Sequence, residues 1–132
     1  MEEEKKPLGF NSAKNRAAKI LDNNDKLKAL LIKAKDKAKE NSNKLKGVWE
    51  DFQTLLRFLK AWKRKEYREI PWRTVLYAAA ATLYFVNPLD IIPDFIPLTG
   101  LLDDITVITF VINAIHKDLK EFQEWELEIK PR

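Results

Sequence analysis

Four aspartates carry all the formal charge between Thr74 and Ile115: Asp90, Asp94, Asp103 and Asp104. They lie in NPLDIIPDFIPLTGLLDD, residues 87–104, between two strongly apolar arms. No Lys or Arg falls in that stretch, although the chain holds 24 of them. Such carboxylates suit three kinds of chemistry. With backbone oxygens they can hold a hard divalent cation, Mg²⁺ or Ca²⁺, provided that Asp90 and Asp94 meet Asp103 and Asp104 where the bend folds back. As a close pair they can work as general acid and base. Alternatively, each serves the backbone. Asn87-Pro88-Leu89-Asp90 has the form of a capping box, with proline at the first helical position and an acid at the third. Asp103 and Asp104 suit the positive end of the helix that follows, and Asp94 can accept N–H groups in the bend. The spacing is not that of an EF-hand loop, which needs alternate ligands, a glycine and a terminal Glu. The backbone reading is preferred, with Asn87, Pro88, Pro93, Pro97 and Gly100 as parts of the same structural motif. Asp94 is the member with the least local explanation.

Other chemistry is poorly supplied. The only serines, Ser12 and Ser42, sit at expected helix caps, and His116 is the sole histidine. Gly9, Gly47 and Gly100 are isolated, so no phosphate-cradling loop is present. Without cysteine there is no disulfide, thiolate zinc site or cysteine nucleophile. The expectation is a protein that is not an enzyme, has no catalytic residues and needs no organic cofactor.

The elements that must position the aspartates read as helices throughout. Asn11-Ser12 opens a helix with Ala13, Ala17, Ile20 and Leu21 at helical spacing. Asn23-Asn24-Asp25 ends it and caps the next, a Lys-rich segment with a narrow stripe of Leu27, Leu30, Leu31, Ala34 and Ala38. After Asn41-Ser42-Asn43, an amphipathic helix is expected over 44–68. Its apolar face runs from Leu45 to Trp62, and its other face gathers Arg57, Lys60, Lys63, Arg64 and Lys65. Ile70-Pro71 breaks that pattern. The apolar run TVLYAAAATLYFV then needs cover on nearly all sides, from protein or from lipid. Asn87 ends it before Pro88, and Pro93 and Pro97 stop any long helix in the bend. One last helix is expected from Asp103 to about Glu128, with Ile105, Ile108, Ile112, Ile115, Leu119, Phe122 and Trp125 on one face. The fold class is all-α, a small helical bundle with an apolar helix–Pro/Asp-rich bend–helix hairpin over 70–116. Residues 1–43 form Lys-rich N-terminal helices, and 44–128 form one helical domain with an acidic C-terminal extension.

Charge is divided unevenly. Residues 1–73 hold 20 Lys+Arg and 11 Asp+Glu, a net +9, whereas residues 74–132 hold 4 and 9, a net −5. A basic front half favours anionic lipid or nucleic acid. Length argues for a soluble core, because a spanning helix needs about 20 apolar residues and both arms are shorter. Charge asymmetry argues for a membrane hairpin. Arg68, Arg73, Lys117 and Lys120 flank the arms with no cation between them, as the positive-inside rule requires of a far-side bend. Trp72 and Trp125 mark the outer ends. MEEEKKPLGF is too charged for a secretory signal.

The motif resembles the YkvA-like family of small bacterial proteins. Pro88, Asp90, Pro93, Asp94, Pro97, Gly100, Asp103 and Asp104 all match its pattern, and the resemblance is firm over roughly Tyr77 to Ala114. It implies membrane association and no established catalytic residue, since the family's members are of unknown function and often predicted to be membrane proteins. The expected place is the bacterial inner membrane, with cytoplasmic termini. The expected partner is an anionic membrane surface, with a further protein partner on the apolar hairpin. The alternative is a soluble cytoplasmic bundle whose Asp-rich corner binds a divalent cation or small ligand. Nucleic acid is a third class, for which the Lys-rich helices lack a recognised motif or stacking platform.

Overall fold

These local signals become six α-helices in the computed structural model, which describes residues 10–87 and 104–129. The fold is all-α, and no strand occurs among the described residues. Helix α1 (Phe10–Leu21) buries Phe10, Ala13, Ala17 and Leu21. Asn23 then caps α2 (Asn24–Glu40), its Oδ1 accepting from the Lys26 N–H at 3.1 Å. Asn41 closes α2, donating from its backbone N–H and from Nδ2 to the Lys37 carbonyl. Helix α2 buries only Leu27, Leu30, Ala34 and Ala38, so its stability comes from packing rather than from propensity.

The amphipathic helix is shorter than the expected 44–68. Lys46–Val48 form a 3₁₀ turn, and α3 runs Trp49–Lys63. Gly47 within that turn is a poor helix former. At the other end, Glu66 N–H donates to the Ala61 carbonyl (2.9 Å) and Lys65 N–H to the Trp62 carbonyl (3.0 Å). These two bonds form a Schellman closure. Its left-handed position, usually glycine, is taken by Lys65 at φ 63°. The Arg68 guanidinium stacks over Trp62 at 4.2 Å and donates to the Trp62 carbonyl, holding the outgoing chain against the helix end.

Pro71 is extended (φ −60°, ψ 141°) and stands at the cap of α4 (Trp72–Val86), one place before the expected first turn. Helix α4 is the centre of the bundle. Ala78, Ala79, Ala80 and Ala81 are all fully buried, as are Val75, Thr82 and Tyr84. Helices α1, α2, α3 and α5 (Asp104–Ala114) all pack on it, and α1 does so most extensively. Alanines on α4 together with Ala13 and Ala17 on α1 let helix axes approach closely. Phe10 wedges between the two hairpin arms, 5.0 Å from the Tyr77 ring and 5.3 Å from Phe110. Helices α1 and α2 thus share one apolar core with the later helices, across the boundary expected at residue 43.

The last helix divides in two. Helix α5 ends at Ala114 and α6 (His116–Ile129) begins after Ile115. No proline or glycine sits there. Ile115 N–H still reaches the Val111 carbonyl, and Leu119 N–H reaches the Ile115 carbonyl, so the break is a bend. It falls where the packing partner changes, because α5 lies against α4 while α6 lies against α3. The apolar stripe holds across the bend, with Ile108, Ile112, Ile115, Leu119 and Phe122 buried.

No described helix is long and apolar enough to cross a membrane. At 1.5 Å per residue, α4 and α5 reach about 22 and 16 Å, against a hydrocarbon core of about 30 Å. The apolar surface of α4 that needed cover receives it from protein.

Candidate functional site

Of the four aspartates, Asp90, Asp94 and Asp103 lie outside the described residues, together with Pro88, Pro93, Pro97 and Gly100. Asp104 is the first residue of α5. Asn87 closes α4, its N–H donating to the Leu83 carbonyl at 2.8 Å. Among the described residues no three acidic or histidine side chains gather as a metal site. His116 is exposed at the first position of α6.

The described part of the hairpin answers the question of its missing charge. Helix α4 has no acid in its first turn and no base in its last. Both are supplied from other helices. At its N-terminal end the buried Thr74 hydroxyl donates to the Asp118 carboxylate of α6 at 2.5 Å. Asp118 also occupies the first turn of α6, so one carboxylate serves the positive ends of two helices. At the other end Lys37 Nζ, from α2, donates to the Phe85 carbonyl at 2.7 Å and lies 5.2 Å from the Phe85 ring. The Lys- and Arg-free stretch therefore has a cation beside it where α4 ends, carried from a helix 48 positions earlier. An apolar helix with no acid in its first turn and no base in its last signals that outside partners are needed. It does not say which residues they are.

The basic face expected on α3 is rearranged. Arg57 is withdrawn from it by a fork to Glu126 of α6: Nε to Oε2 at 2.8 Å and Nη2 to Oε1 at 3.1 Å. Thr54 completes the link. It donates to the Glu50 carbonyl and accepts from Gln123 Nε2 (3.1 Å) and Arg57 Nη2 (3.3 Å). Nothing in the spacing of α3 marked Thr54, Gln123 or Glu126. Arg57 still lines a groove between α2 and α3, its charge paired with Glu126, while Lys28 and Lys35 of α2 join Lys60, Lys63 and Arg64 around it.

Trp125, expected at an interface, is instead partly buried. Its ring lies 4.9 Å from Tyr67, which packs on Phe58 and Phe122. Burial, with Glu121, Asp118 and Glu69 nearby, holds the Tyr67 hydroxyl above its usual pKa of 10.0. Trp72 is half-exposed and leans on Trp62, beside the basic end of α3.

Comparison with known proteins matches residues 74–110 to a family described as "Protein of unknown function (DUF1232)". These residues span most of α4, the Asp-rich motif and most of α5. The chain is also 37% identical over 75 residues to the "Uncharacterized membrane protein YkvA" of Bacillus subtilis (strain 168), a match covering 57% of this chain and 71% of that protein. No solved structure matches. The charge-free apolar arm, the motif that follows it and the extent of the match together place the chain in the YkvA-like family of unknown function.

Proposed function

We propose that this chain is a non-enzymatic helical protein held at the cytoplasmic leaflet of the bacterial inner membrane by a surface, not by a span. The observation that carries this reading is the α2–α3 face, where Lys28, Lys35, Lys60, Lys63 and Arg64 project with no carboxylate among the described residues lining it. Each cation near an anionic leaflet contributes about 1 kcal/mol, so a cluster of this size is enough for reversible docking. Exposed Trp72 beside α3 suits the headgroup level. The relative's name is that of a membrane protein, which supports the place. The lengths of α4 and α5 and their cover by other helices favour attachment from one side.

Vesicle co-sedimentation of the full chain tests the reading. Binding is expected to phosphatidylglycerol-containing vesicles, to weaken steeply as salt rises, and to be negligible with phosphatidylcholine alone. Failure to bind phosphatidylglycerol vesicles at low salt would sink it.

A further inference from the structure

Helix α2 brings to α3 a pattern that neither helix shows alone. On α2, Lys28, Leu31, Ile32 and Lys35 follow at three and four, so cation, apolar pair and cation share one face. On α3, Leu56 is followed at the same spacing by Lys60, then by Lys63 and Arg64. The two faces enclose a groove of about 590 Å³ with an apolar strip between basic walls. That volume falls within the range of ligand sites, about 300–1,000 Å³. Its five free cations have no ion-pair partner among the described residues, because the one carboxylate fork nearby is spent on Arg57. Ile32 is 54% exposed on this wall, one of few large apolar side chains so open.

We propose that the groove seats one anionic phospholipid, its headgroup phosphate among the lysines and the first carbons of its acyl chains over Leu31, Ile32 and Leu56. This site rests on the membrane-surface reading above and adds a stoichiometric ligand to it. Phosphate chemistry accounts for the cations, since ammonium groups bind phosphate as mobile point charges. The apolar strip decides for a lipid over a free phosphate, which would gain nothing from covering Ile32. Nucleic acid fits less well, because no described lining residue offers an aromatic ring for a base to stack on.

The test follows methyl-resolved NMR of the full chain during titration with monomeric dihexanoyl-phosphatidylglycerol. Glycerol 3-phosphate and dihexanoyl-phosphatidylcholine serve as the two half-ligands. The anionic lipid is expected to saturate at one per chain and to move the methyls of Leu31, Ile32 and Leu56. Glycerol 3-phosphate is expected to bind about tenfold more weakly, having no chain to bury. Phosphatidylcholine is expected not to saturate. Ile32→Ala, at an exposed position, should weaken the lipid about tenfold and leave glycerol 3-phosphate unchanged. Lys60→Gln with Lys63→Gln should weaken both. Equal binding of glycerol 3-phosphate would overturn the lipid in favour of a soluble phosphate. Groove methyls that respond instead to an acidic amphipathic peptide, or to protein concentration alone, would assign the groove to a protein helix or to a second copy. If phosphatidylglycerol vesicles bind but the monomeric lipid never saturates the groove, this proposal fails and the surface reading stands. If neither binds, both fail.

Discussion

Helices α3 and α4 are of equal length and lie against each other, yet they solve the same electrostatic problem in opposite ways. Every helix has a positive N-terminal end and a negative C-terminal end. Helix α3 meets this locally, with Glu50 and Asp51 in its first turn and Lys60 and Lys63 in its last. Its stop is also local, through the Schellman bonds of Lys65 and Glu66. Helix α4 has none of these charges and is buried along nearly its whole length. Its end partners, Asp118 and Lys37, come from α6 and α2. A helix on the surface can carry its own charges because its outer face is wet. A helix at the centre has no such face, so charge at its ends is cheaper when borne by neighbours whose stems lie on the outside.

Substitutions can break this contrast. The largest effect is expected at Lys37. Lys37→Met keeps the stem and removes the cation from the Phe85 carbonyl, and should cost about 1–2 kcal/mol in denaturant unfolding. If the loss matches that of an exposed lysine such as Lys33, the α4 end is not held from α2. Asp118→Asn preserves a partner for the Thr74 hydroxyl but removes the charge, and about 0.5–1 kcal/mol is expected. The matched change on α3, Glu50→Gln, should cost less, because Glu50 shares its turn with Asp51. Equal losses would erase the distinction between borrowed and local charge.

The end of α3 offers an effect of opposite sign. Lys65→Gly should stabilise by about 0.5 kcal/mol, since relief of left-handed strain outweighs the entropy that glycine adds to the unfolded chain. A destabilised variant would show that the Lys65 side chain contributes more than its backbone strain costs.

The smallest effect is confined to alkaline pH. Tyr67 is held above 10.0 in the folded protein, so its neutral form is the one the fold favours. Its contribution is fully present below pH 10.0 and is lost as pH rises through the higher folded value. Unfolding titrations of Tyr67→Phe should lose part of this alkaline slope and match the parent near neutrality. A slope unchanged in the variant would place the titration elsewhere.

Much of the secondary structure was legible in the residues. Asn23 caps α2 where side-chain capping predicts, α2 ends at the Asn41-Ser42-Asn43 break, Ile70-Pro71 separates α3 from α4, and Asn87 closes α4 ahead of Pro88. The shorter α3 and the bend at Ile115 were not legible. The first depends at its C-terminal end on a lysine accepting a glycine's conformation, and the second on a change of packing partner with no sequence break. The expected aspartate site falls mostly outside the described residues. The groove that replaces it as the candidate needed α2, whose lysines looked like an ordinary solvated face.

By itself the sequence determined that the chain is helical, that one helix must be covered on all sides, and that the stretch from Thr74 through the bend lacks positive charge. Periodicity, caps and prolines act within about four residues, so they can be read from neighbours alone. Only the tertiary structure decided that α4 is covered by protein, that Lys37 and Asp118 complete its ends, and that Glu126 takes Arg57 out of the basic face. Those pairs are 48, 44 and 69 positions apart. At such separations no local pattern selects a partner. The choice follows from which helices pack together, and that is set by the sum of apolar burial across the whole core.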